Sequence, residues 1–469
     1  MTEKKKILFI CHMSTFFTEQ ISVIKLCLEN NITPIIQFTC PLWTVIKGIK
    51  TCLELGIDIY DTNGNILTDI DKINSNKTDT NSKITPQNKT LREKFTELKN
   101  SPIINWGNIE KRFKKRRLTM RKIIQTIKPD LIVLGGDITG HDTCICIKEA
   151  HRFNIKVATL TLIMANGKDP AHFFVSNKSY LLDNPINKLT GLIFKKWVYN
   201  YKGTKLLRLP SAYVWYYKLK GIEPPLPWVH NSGYSDAIFL EGKEWKDYYI
   251  KSGLDENKLY ITGSYNHDLL YAKNQNKTEL KQELYKKYNF DTTKKLIIIA
   301  LHPEKYMNGI TDFEENADKL NDYWIPLLKG TNCNIIGCPH PSCDINYYKK
   351  YESDNFKIYD GYTIDIIGLC DIFITNFSST IKWAIMNGIP VINYDLTLGG
   401  YDYYNNTPGV ITIENRRDFE TQLNRLTTDE SYYNDIMQKQ FKKSQDWGVL
   451  DGKAGERILA QLNSMMEKK

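Results

Sequence analysis

Short runs of consecutive apolar residues, separated by longer amphipathic segments, recur along most of the 469-residue chain. In the N-terminal half, apolar runs at Ile7–Cys11, Ile35–Thr39 and Ile57–Tyr60 alternate with helical patterns that extend to about Asn30 and over Val45–Leu55. Strands buried on both faces show continuous apolar runs, and alternation of such strands with helices indicates a parallel sheet. The pattern therefore predicts an α/β protein with a doubly wound sheet.

The same alternation restarts after a charged segment at Lys273–Lys294. Predicted strands at Leu296–Leu301, Asn334–Gly337 and Phe356–Tyr359 lead to the strand–loop–helix–strand segment Asp371–Asp395. Both halves place an Asp before a buried strand and Gly or hydroxyl residues after it, as in PDLIVLGGD and CDIFITNFSS. We therefore expect two Rossmann-like domains that face each other across an interdomain cleft.

The predicted domains are residues 1–272, residues 273–450, and a C-terminal amphipathic helix at 451–469 that packs back on the first domain. The first domain contains a polar loop at 62–99, rich in Asn, Thr, Lys and Asp, and a basic aromatic insertion at 171–235. Long polar segments with few aromatic residues are typical of surface loops. Asp69-x-Asp71 lies in this loop, and we interpret it as solvated and not as a metal site.

Composition narrows the class of protein only in part. The net charge of +10, from 63 basic and 53 acidic residues, suits an anionic partner such as a nucleotide, a lipid surface or nucleic acid. The ten cysteines lack the paired C-x2-C spacing of zinc sites, so we expect reduced thiols and no metal centre. No signal peptide or membrane-spanning apolar run is apparent, which predicts a cytoplasmic protein.

The segment Pro185–Lys220 interleaves Trp and Tyr with Lys and Arg. Such a mixture suits a membrane interface, where aromatic rings lie among headgroups and cations meet anionic lipid. The same residues could simply pack between domains, or stack on nucleic-acid bases. The sequence leaves these three interpretations open.

The strongest acid/base candidates of the first half follow the predicted strand Leu131–Leu134. Gly135-Gly136-Asp137 ends this strand, and His141-Asp142 begins the next helix. Ligands of open α/β sheets bind at the carboxyl ends of strands, so Asp137, His141 and Asp142 are candidate catalytic residues. The alternative is a glycine turn with Asp142 as a helix N-cap. The first β–α loop lacks G-x-G-x-x-G, so no dinucleotide cofactor is predicted.

Three loops of the second domain follow strands that end at the same edge of one sheet. Imidazoles, hydroxyls and a helix N-terminus together suit the phosphates of a nucleotide. The alternative for the last of these loops is an ordinary capped helix in a parallel domain. The candidate nucleotide- and phosphate-binding residues are His302, His340, Pro341, Ser378, Ser379 and Thr380.

The pairing of GCPHPS at Gly337–Ser342 with DIFITNFSST at Asp371–Thr380 resembles GT-B glycosyltransferases of bacterial surface polysaccharide synthesis. The resemblance is greatest to the group of CDP-glycerol glycerophosphotransferases, polysialyltransferases and capsule Kdo transferases. It covers roughly 236–462 and includes weaker matches at Ile261–Ser264, Gly388–Asp395 and Asp451–Ile458. In that group an HP motif and a Ser-Ser motif hold the cytidine nucleotide of the donor. Asn376 stands where the family often has Asp.

The resemblance implies a GT-B enzyme that acts without a metal or cofactor. It would move a sugar or polyol phosphate from a CMP-, CDP- or UDP-linked donor to a lipid-linked or surface polysaccharide acceptor. The C-terminal domain would bind the donor through His340, Ser378, Ser379 and Thr380, with His302 in the same pocket. Asp137 or Asp142 of the N-terminal acceptor domain would deprotonate the acceptor. Attachment to the inner face of the cell membrane is an accompanying expectation.

Two alternatives to this function remain. UDP-GlcNAc 2-epimerases share the fold, and Gly136-Asp137 resembles their G-D-T element, but Lys382, Trp383 and Ala384 occupy the region of their paired glutamates. A non-catalytic binding subunit of a polysaccharide assembly complex would also keep the fold. No nucleic-acid partner is predicted.

Overall fold

The computed structural model describes residues 4–68, 102–162, 167–301, 310–340 and 343–467. Most of the predicted polar loop 62–99, including Asp69 and Asp71, lies outside the described residues.

The chain folds into two compact units. The N-terminal unit comprises Met1–Glu241, Trp245–Tyr265 and Gly455–Lys469, and the C-terminal unit comprises Gly242–Glu244 and Asn266–Ala454. Relative to the predicted domains, residues 266–272 belong to the C-terminal unit.

The N-terminal unit is built on a seven-stranded parallel sheet. Among the described residues, the strands of this unit are β1 (Lys6–Cys11), β2 (Thr33–Phe38), β3 (Asp58–Tyr60), β4 (Leu131–Leu134), β5 (Lys156–Leu160), β6 (Val198–Tyr201), β7 (Thr204–Leu207), β8 (Ala237–Leu240) and β9 (Leu259–Ile261). The sheet order is β3-β2-β1-β4-β5-β8-β9, and β6 and β7 form a separate antiparallel hairpin. The helices are α1 (Ser14–Glu29), α2 (Ile46–Glu54), α3 (Pro102–Ile127), α4 (Thr143–Arg152), α5 (Lys168–Phe174), α6 (Pro185–Ile193), α7 (Ser211–Leu219) and α8 (Lys243–Lys251).

The C-terminal unit is built on a six-stranded parallel sheet of order β12-β11-β10-β13-β14-β15, with strands β10 (Leu296–Leu301), β11 (Asn334–Pro339), β12 (Phe356–Ile358), β13 (Ile372–Thr375), β14 (Val391–Tyr394) and β15 (Val410–Ile413). The remaining helices are α9 (Tyr265–Gln275), α10 (Lys277–Tyr288), α11 (Ala317–Lys329), α12 (Ile345–Lys349), α13 (Ile381–Met386), α14 (Arg416–Thr428), α15 (Glu430–Trp447) and α16 (Ala454–Glu467). Single 3-10 turns lie at Leu42–Thr44, Lys195–Trp197, Glu256–Lys258, Thr311–Phe313, Thr363–Asp365 and Ile367–Leu369.

Both sheets begin with the doubly wound order of a Rossmann-like domain, in which the third, second and first strands are followed by the fourth and fifth. The predicted fold class is therefore confirmed. The strands are buried on both faces: Leu8 and Ile10 of β1 pack in one cluster, while Ile7 and Phe9 pack in another. This alternation follows from the two-residue period of a strand.

Helix α16, at the end of the described chain, supplies apolar side chains to the core of the N-terminal unit. Ile458 and Leu462 are buried in the same cluster as Ile7 and Phe9. The other members from α16 are Met465 and Met466.

The basic aromatic segment Pro185–Lys220 contributes many of its rings to the interior. Trp197, Tyr216 and Tyr217 are fully buried and form one cluster with Phe113 of α3. These rings therefore pack within the N-terminal unit itself, and not between domains as the second interpretation had it.

Candidate functional site

In the N-terminal unit, sheet order reverses between β1 and β4, which are paired neighbours. Ligand-binding crevices of doubly wound sheets form outside the carboxyl ends of the strands at this switch point. His12 directly follows β1, and the loop after β4 carries His141. Their ring centroids are 5.3 Å apart, in an edge-on arrangement. The switch point therefore brings together two imidazoles that are 129 positions apart in the chain.

The two glycines after β4 allow α1 to approach this edge of the sheet. A Cβ atom at Gly135 would lie 2.4 Å from the Cβ of Phe16, and one at Gly136 would lie 3.2 Å from its ring. The Phe16 ring in turn lies 4.9 Å from the His12 ring and 6.5 Å from the His230 ring, measured between centroids. The close packing of Phe16 beside the histidines therefore explains why residues 135 and 136 are glycines.

Burial keeps the clustered imidazoles neutral. The pKa of His12 is lowered to about 3, mainly by burial and to a smaller extent by the neighbouring His141 and His230. Burial, with Arg208 and His141 as smaller causes, lowers the pKa of His230 to about 3. The pKa of His141 is also lowered, first by burial and then by Arg208. At neutral pH each of these rings can accept a proton or donate a hydrogen bond.

Asp137, a predicted catalytic residue, is turned into the fold. Its side chain is 1% exposed. The carboxylate accepts hydrogen bonds from the Ser232 hydroxyl at 3.1 Å, from the Tyr234 amide at 2.7 Å and from the Ser235 amide at 3.3 Å. Burial raises the pKa of the Asp137 carboxyl, and these hydrogen bonds oppose that shift. Its contacts are those of a residue that fixes the loop before β8.

Asp142 occupies the N-cap position of α4, but its side chain makes no capping hydrogen bond. The carboxylate instead forms ion pairs with Arg112 and Arg116 of the basic helix α3, both at 3.0 Å. Of the three predicted acid/base residues, only His141 lies in the histidine cluster.

In the C-terminal unit, the corresponding switch point lies between β10 and β13. His340 follows β11 and Ser378 lies three residues beyond β13, so both belong to the carboxyl edge on the two sides of β10. Neighbouring strands are about 4.8 Å apart, so β11 and β13 are separated by about 10 Å, which is room for a phosphate group. The candidates His302 and Pro341 lie outside the described residues.

The Ser-Ser-Thr segment precedes the short helix α13. Ser378 Oγ and Thr380 Oγ1 are 2.8 Å apart, and the Thr380 amide donates to Ser378 Oγ at 3.3 Å. Ser379 is exposed, and α13 has only six residues. Gly388, beyond the end of this helix, has a positive φ of 69°, as predicted for a helix C′ position. The hydroxyls are therefore a stronger basis for phosphate binding than a helix dipole.

Phe377 and Asp395 are functional candidates that the sequence did not reveal. Phe377 has a φ of 42°, unusual for a residue with a side chain, and its amide donates to Asn393 Oδ1 at 2.8 Å. Its ring packs at 4.7 Å against Tyr401. Asp395, at the end of β14, accepts hydrogen bonds from the Thr397 hydroxyl and from the amides of Gly399 and Gly400, and so orders the loop that leads to Tyr401.

Within the described ranges, no group of three His, Cys, Asp or Glu side chains is arranged to hold a metal ion. In that same part of the chain, no helix combines the length and apolar character needed to cross a membrane. All ten cysteines are free thiols, as predicted.

Sequence comparison finds one family in the C-terminal part of the chain. Residues 245–464 match the family model for CDP-glycerol:poly(glycerophosphate) glycerophosphotransferase. This range contains the HP and Ser-Ser motifs on which the predicted resemblance was based, and it confirms that resemblance. No curated protein sequence matches the chain.

Solved structures share the fold at low sequence identity. UDP-GlcNAc 2-epimerase from Neisseria meningitidis, bound to UDP-GlcNAc, has a TM-score of 0.51 at 13% identity, over 98% of this chain and all of its own. A co-structure of S. aureus MnaA with UDP has a TM-score of 0.52 at 14% identity, over 99% of this chain and 97% of its own. The glycotransferase of kitacinnamycin has a TM-score of 0.51 at 10% identity, over 98% of this chain and 100% of its own.

Epimerases and transferases both have this two-domain fold, so the structural likeness does not separate them, whereas the family match favours transfer. The chain is an enzyme of the GT-B glycosyltransferase type, and its residues 245–464 carry the sequence signature of the glycerophosphotransferase family.

Proposed function

We propose that this enzyme transfers a sugar or a polyol phosphate from a cytidine or uridine nucleotide to a lipid-linked or surface polysaccharide acceptor. The observation that carries the proposal is the family match over 245–464, which includes His340 and Ser378 at the carboxyl edge of the second sheet. The family description favours a CDP-activated polyol phosphate. Two structures of the same fold contain UDP-GlcNAc or UDP, which supports a nucleotide ligand.

In this proposal the C-terminal unit binds the donor. The His340 imidazole and the hydroxyls of Ser378 and Thr380 hydrogen-bond the donor phosphate and stabilise the negative charge that develops on the departing nucleotide. His141 of the N-terminal unit replaces Asp137 and Asp142 as the proposed base. Its neutral imidazole can accept the proton of an acceptor hydroxyl, whereas both carboxylates are engaged by donors of the fold.

The test of the donor site is the loss of transfer in His340→Ala and in Ser378→Ala. We expect transfer to fall below a hundredth of the wild-type rate in each variant, with unchanged thermal unfolding, because about 3 kcal/mol of transition-state stabilisation is removed. Ser353→Ala is the control, since Ser353 precedes β12 at the opposite edge of the sheet. Full activity in either site variant would contradict the assignment.

The identity of the nucleotide can be tested by thermal unfolding with CMP, CDP, UDP and GDP. A ligand that binds only the native state stabilises it by about 2.7 kcal/mol at a hundredfold excess over its Kd. We expect the largest shift with a cytidine nucleotide and a reduced shift in Ser378→Ala. No shift with any of the four would count against a nucleotide donor.

We further propose that helix α6 holds the enzyme at an anionic membrane. The inward face of this helix is polar or small: Asn187, Thr190 and Gly191 are buried, and the Trp215 indole donates to the Thr190 hydroxyl at 3.0 Å. The outward face is apolar, with the exposed residues Ile186 (39%), Leu189 (55%), Leu192 (71%) and Ile193 (50%).

An apolar face directed to solvent is the arrangement of a helix that lies in a membrane interface. The exposed cations Lys188 and Lys195 beside it complement anionic headgroups, whereas Lys196 pairs with Glu223. In this proposal the membrane contact of the basic aromatic segment is made by the aliphatic side chains of α6, and not by its aromatic rings, which are largely buried.

The measurement is co-sedimentation with vesicles that contain phosphatidylglycerol, compared with pure phosphatidylcholine vesicles. Burial of a Leu side chain is worth about 1.5–3 kcal/mol, so replacing Leu189 and Leu192 together by Gln should weaken binding at least about tenfold. Leu28→Gln, at an exposed Leu of α1, is the matched control. Equal binding by all three proteins would exclude α6 as the membrane contact.

A further inference from the structure

Arg208 follows β7 in the N-terminal unit and packs against aromatic rings. Its guanidinium lies over the rings of Phe174, at 5.4 Å, and Trp228, at 5.9 Å from the ring centroids. Its Nε is buried without a hydrogen-bond partner. Among the described residues, no carboxylate lies within ion-pair distance of it, and the groups that favour its charge are Tyr180 and Tyr217. Burial lowers the pKa of Arg208 to about 10, so it is a cation at neutral pH.

An unpaired cation in the interior of a protein is unfavourable unless an anion or a set of acceptors compensates for it. The positive charge of Arg208 acts to lower the pKa of the His141 and His230 imidazoles and of the Tyr180 phenol, so these groups lie near it. Other buried polar atoms of this region without a hydrogen-bond partner are the two ring nitrogens of His12, one of which carries the proton in the neutral ring, and the hydroxyls of Thr139 and Tyr217.

Two helices begin at the same cluster. Helix α1, with 16 residues, starts two positions after His12, and α4, with 10 residues, starts two positions after His141. Neither has a side-chain cap, so the amides of both first turns contribute positive potential. At α4 the Asp142 carboxylate opposes this potential, and that carboxylate is itself paired with Arg112 and Arg116. The cluster therefore combines a cation, neutral imidazoles and two positive helix ends at the switch point of the sheet.

We propose that Arg208, together with His12, His141 and His230, binds a phosphoryl group of the acceptor substrate. A tetrahedral phosphate offers several acceptor oxygens, which suits the forked donors of one guanidinium and the single N–H donors of the neutral imidazoles. The proposal rests on the proposed function in one respect: because the donor phosphates are assigned to the C-terminal unit, the anion of the N-terminal unit is assigned to the acceptor.

The first test is the binding of inorganic phosphate to the full-length protein by titration calorimetry. The Arg208→Gln variant should bind phosphate at least about tenfold more weakly than wild type, because a charge-assisted, forked contact is lost. Arg152→Gln is the matched control, since Arg152 is an exposed residue of α4 that pairs with Glu149. Ser378→Ala distinguishes this site from the donor site, because it should leave unchanged the phosphate affinity that Arg208→Gln weakens.

A second readout needs no variant that might unfold. The chain has 8 histidines, and histidine-selective NMR of the wild-type protein during a phosphate titration should shift the imidazole signals of His12, His141 and His230. Shifts at these three positions, with weaker phosphate binding in Arg208→Gln, support the site. Unshifted imidazoles, or equal phosphate affinity in Arg208→Gln and wild type, would overturn it.

The two proposals fail in different ways. If Arg208→Gln retains the thermal shift given by a cytidine nucleotide and transfers with a raised KM for the acceptor alone, the phosphate belongs to the acceptor. If instead the KM for the donor rises and that for the acceptor does not, the acceptor assignment is wrong while the enzyme remains a nucleotide-dependent transferase. Loss of nucleotide binding in Ser378→Ala concerns the proposed function only.

Discussion

The carboxylate of Asp137 could be catalytic or structural, and one substitution tests which role it has. The motif Gly-Gly-Asp at a strand end predicts a catalytic residue, whereas the contacts of the side chain indicate that it fixes the loop at Ser232–Ser235. The perturbation that separates the two roles is Asp137→Ala, which removes the acceptor and keeps the glycine turn.

The cost can be worked out from the contacts. The amides of Tyr234 and Ser235 and the hydroxyl of Ser232 lose their acceptor in a site that is 1% exposed. An unsatisfied buried donor costs about 1–3 kcal/mol, and the Ser232 hydroxyl can rotate to another acceptor. Relief from burying the carboxylate offsets part of this cost. We therefore expect the N-terminal unit to lose about 3 kcal/mol of unfolding free energy.

The assay is hydrogen exchange of the amides in β4 and β8 at increasing urea, which reports on the N-terminal unit alone. Ser232→Ala is the control, with an expected loss of about 1 kcal/mol because a single hydrogen bond is removed. Transfer by the folded fraction of Asp137→Ala should stay within about tenfold of wild type. Unchanged exchange together with a loss of transfer greater than about a hundredfold would refute the structural role and restore Asp137 as a base.

Two further predictions concern buried ionisable groups. Glu149 is fully buried and accepts hydrogen bonds from Arg121 at 2.5 Å and from Arg152 at 3.3 Å. Glu149→Gln should therefore lower the unfolding free energy of the N-terminal unit by about 2–4 kcal/mol in urea, and the control Arg152→Gln, at an exposed residue, by less than about 1 kcal/mol. Equal effects of the two substitutions would show that the buried charge is unimportant. The pKa of His12 and of His230 falls from 6.5 to about 3 on folding, so as the pH is lowered the unfolded chain binds protons at these residues before the folded chain does. The stability that is present above about pH 6.5 should therefore be lost progressively as the pH falls towards 3. Urea unfolding at about pH 7 and pH 5 in phosphate-free buffer should show this loss, and His12→Gln should reduce it; the same pH dependence in both proteins would contradict the lowered pKa of His12.

The buried parallel strands were the most predictable part of the fold. The predicted bounds of β4 and β10 equal the observed ones, because a strand covered on both faces is a continuous apolar run limited by polar or glycine residues. The hairpin of β6 and β7 was not predicted, since VYNY and TKLL lack both such a run and a regular alternation. The orientation of helix α6 could not be predicted either. Its apolar face is directed outwards, and a hydrophobic pattern does not indicate which side of a helix is buried.

The candidate sites show the same limit. His340 and Ser378 could be assigned to one edge because their strands were recognised and parallel strands share a carboxyl edge. His12, His230 and Arg208 come from distant segments, and only the strand order and the packing of the hairpin region bring them to the edge that carries His141. Asp137 was predicted as catalytic because the motif Gly-Gly-Asp does not indicate which way the carboxylate points. In the structure the carboxylate points towards residues almost a hundred positions later in the chain.

The contribution of α16 to the first core has a consequence for biosynthesis. Ile458 and Leu462 belong to the same apolar cluster as β1, although they lie far from it in the chain. The sequence of the C-terminal unit from Asn266 to Ala454 is continuous, so this unit can complete its sheet during translation, whereas the N-terminal unit keeps an open apolar face until α16 has been synthesised. Synthesis of α16 thus sets the earliest moment at which the histidine-bearing sheet is fully covered, and chaperone demand should be greatest just before it.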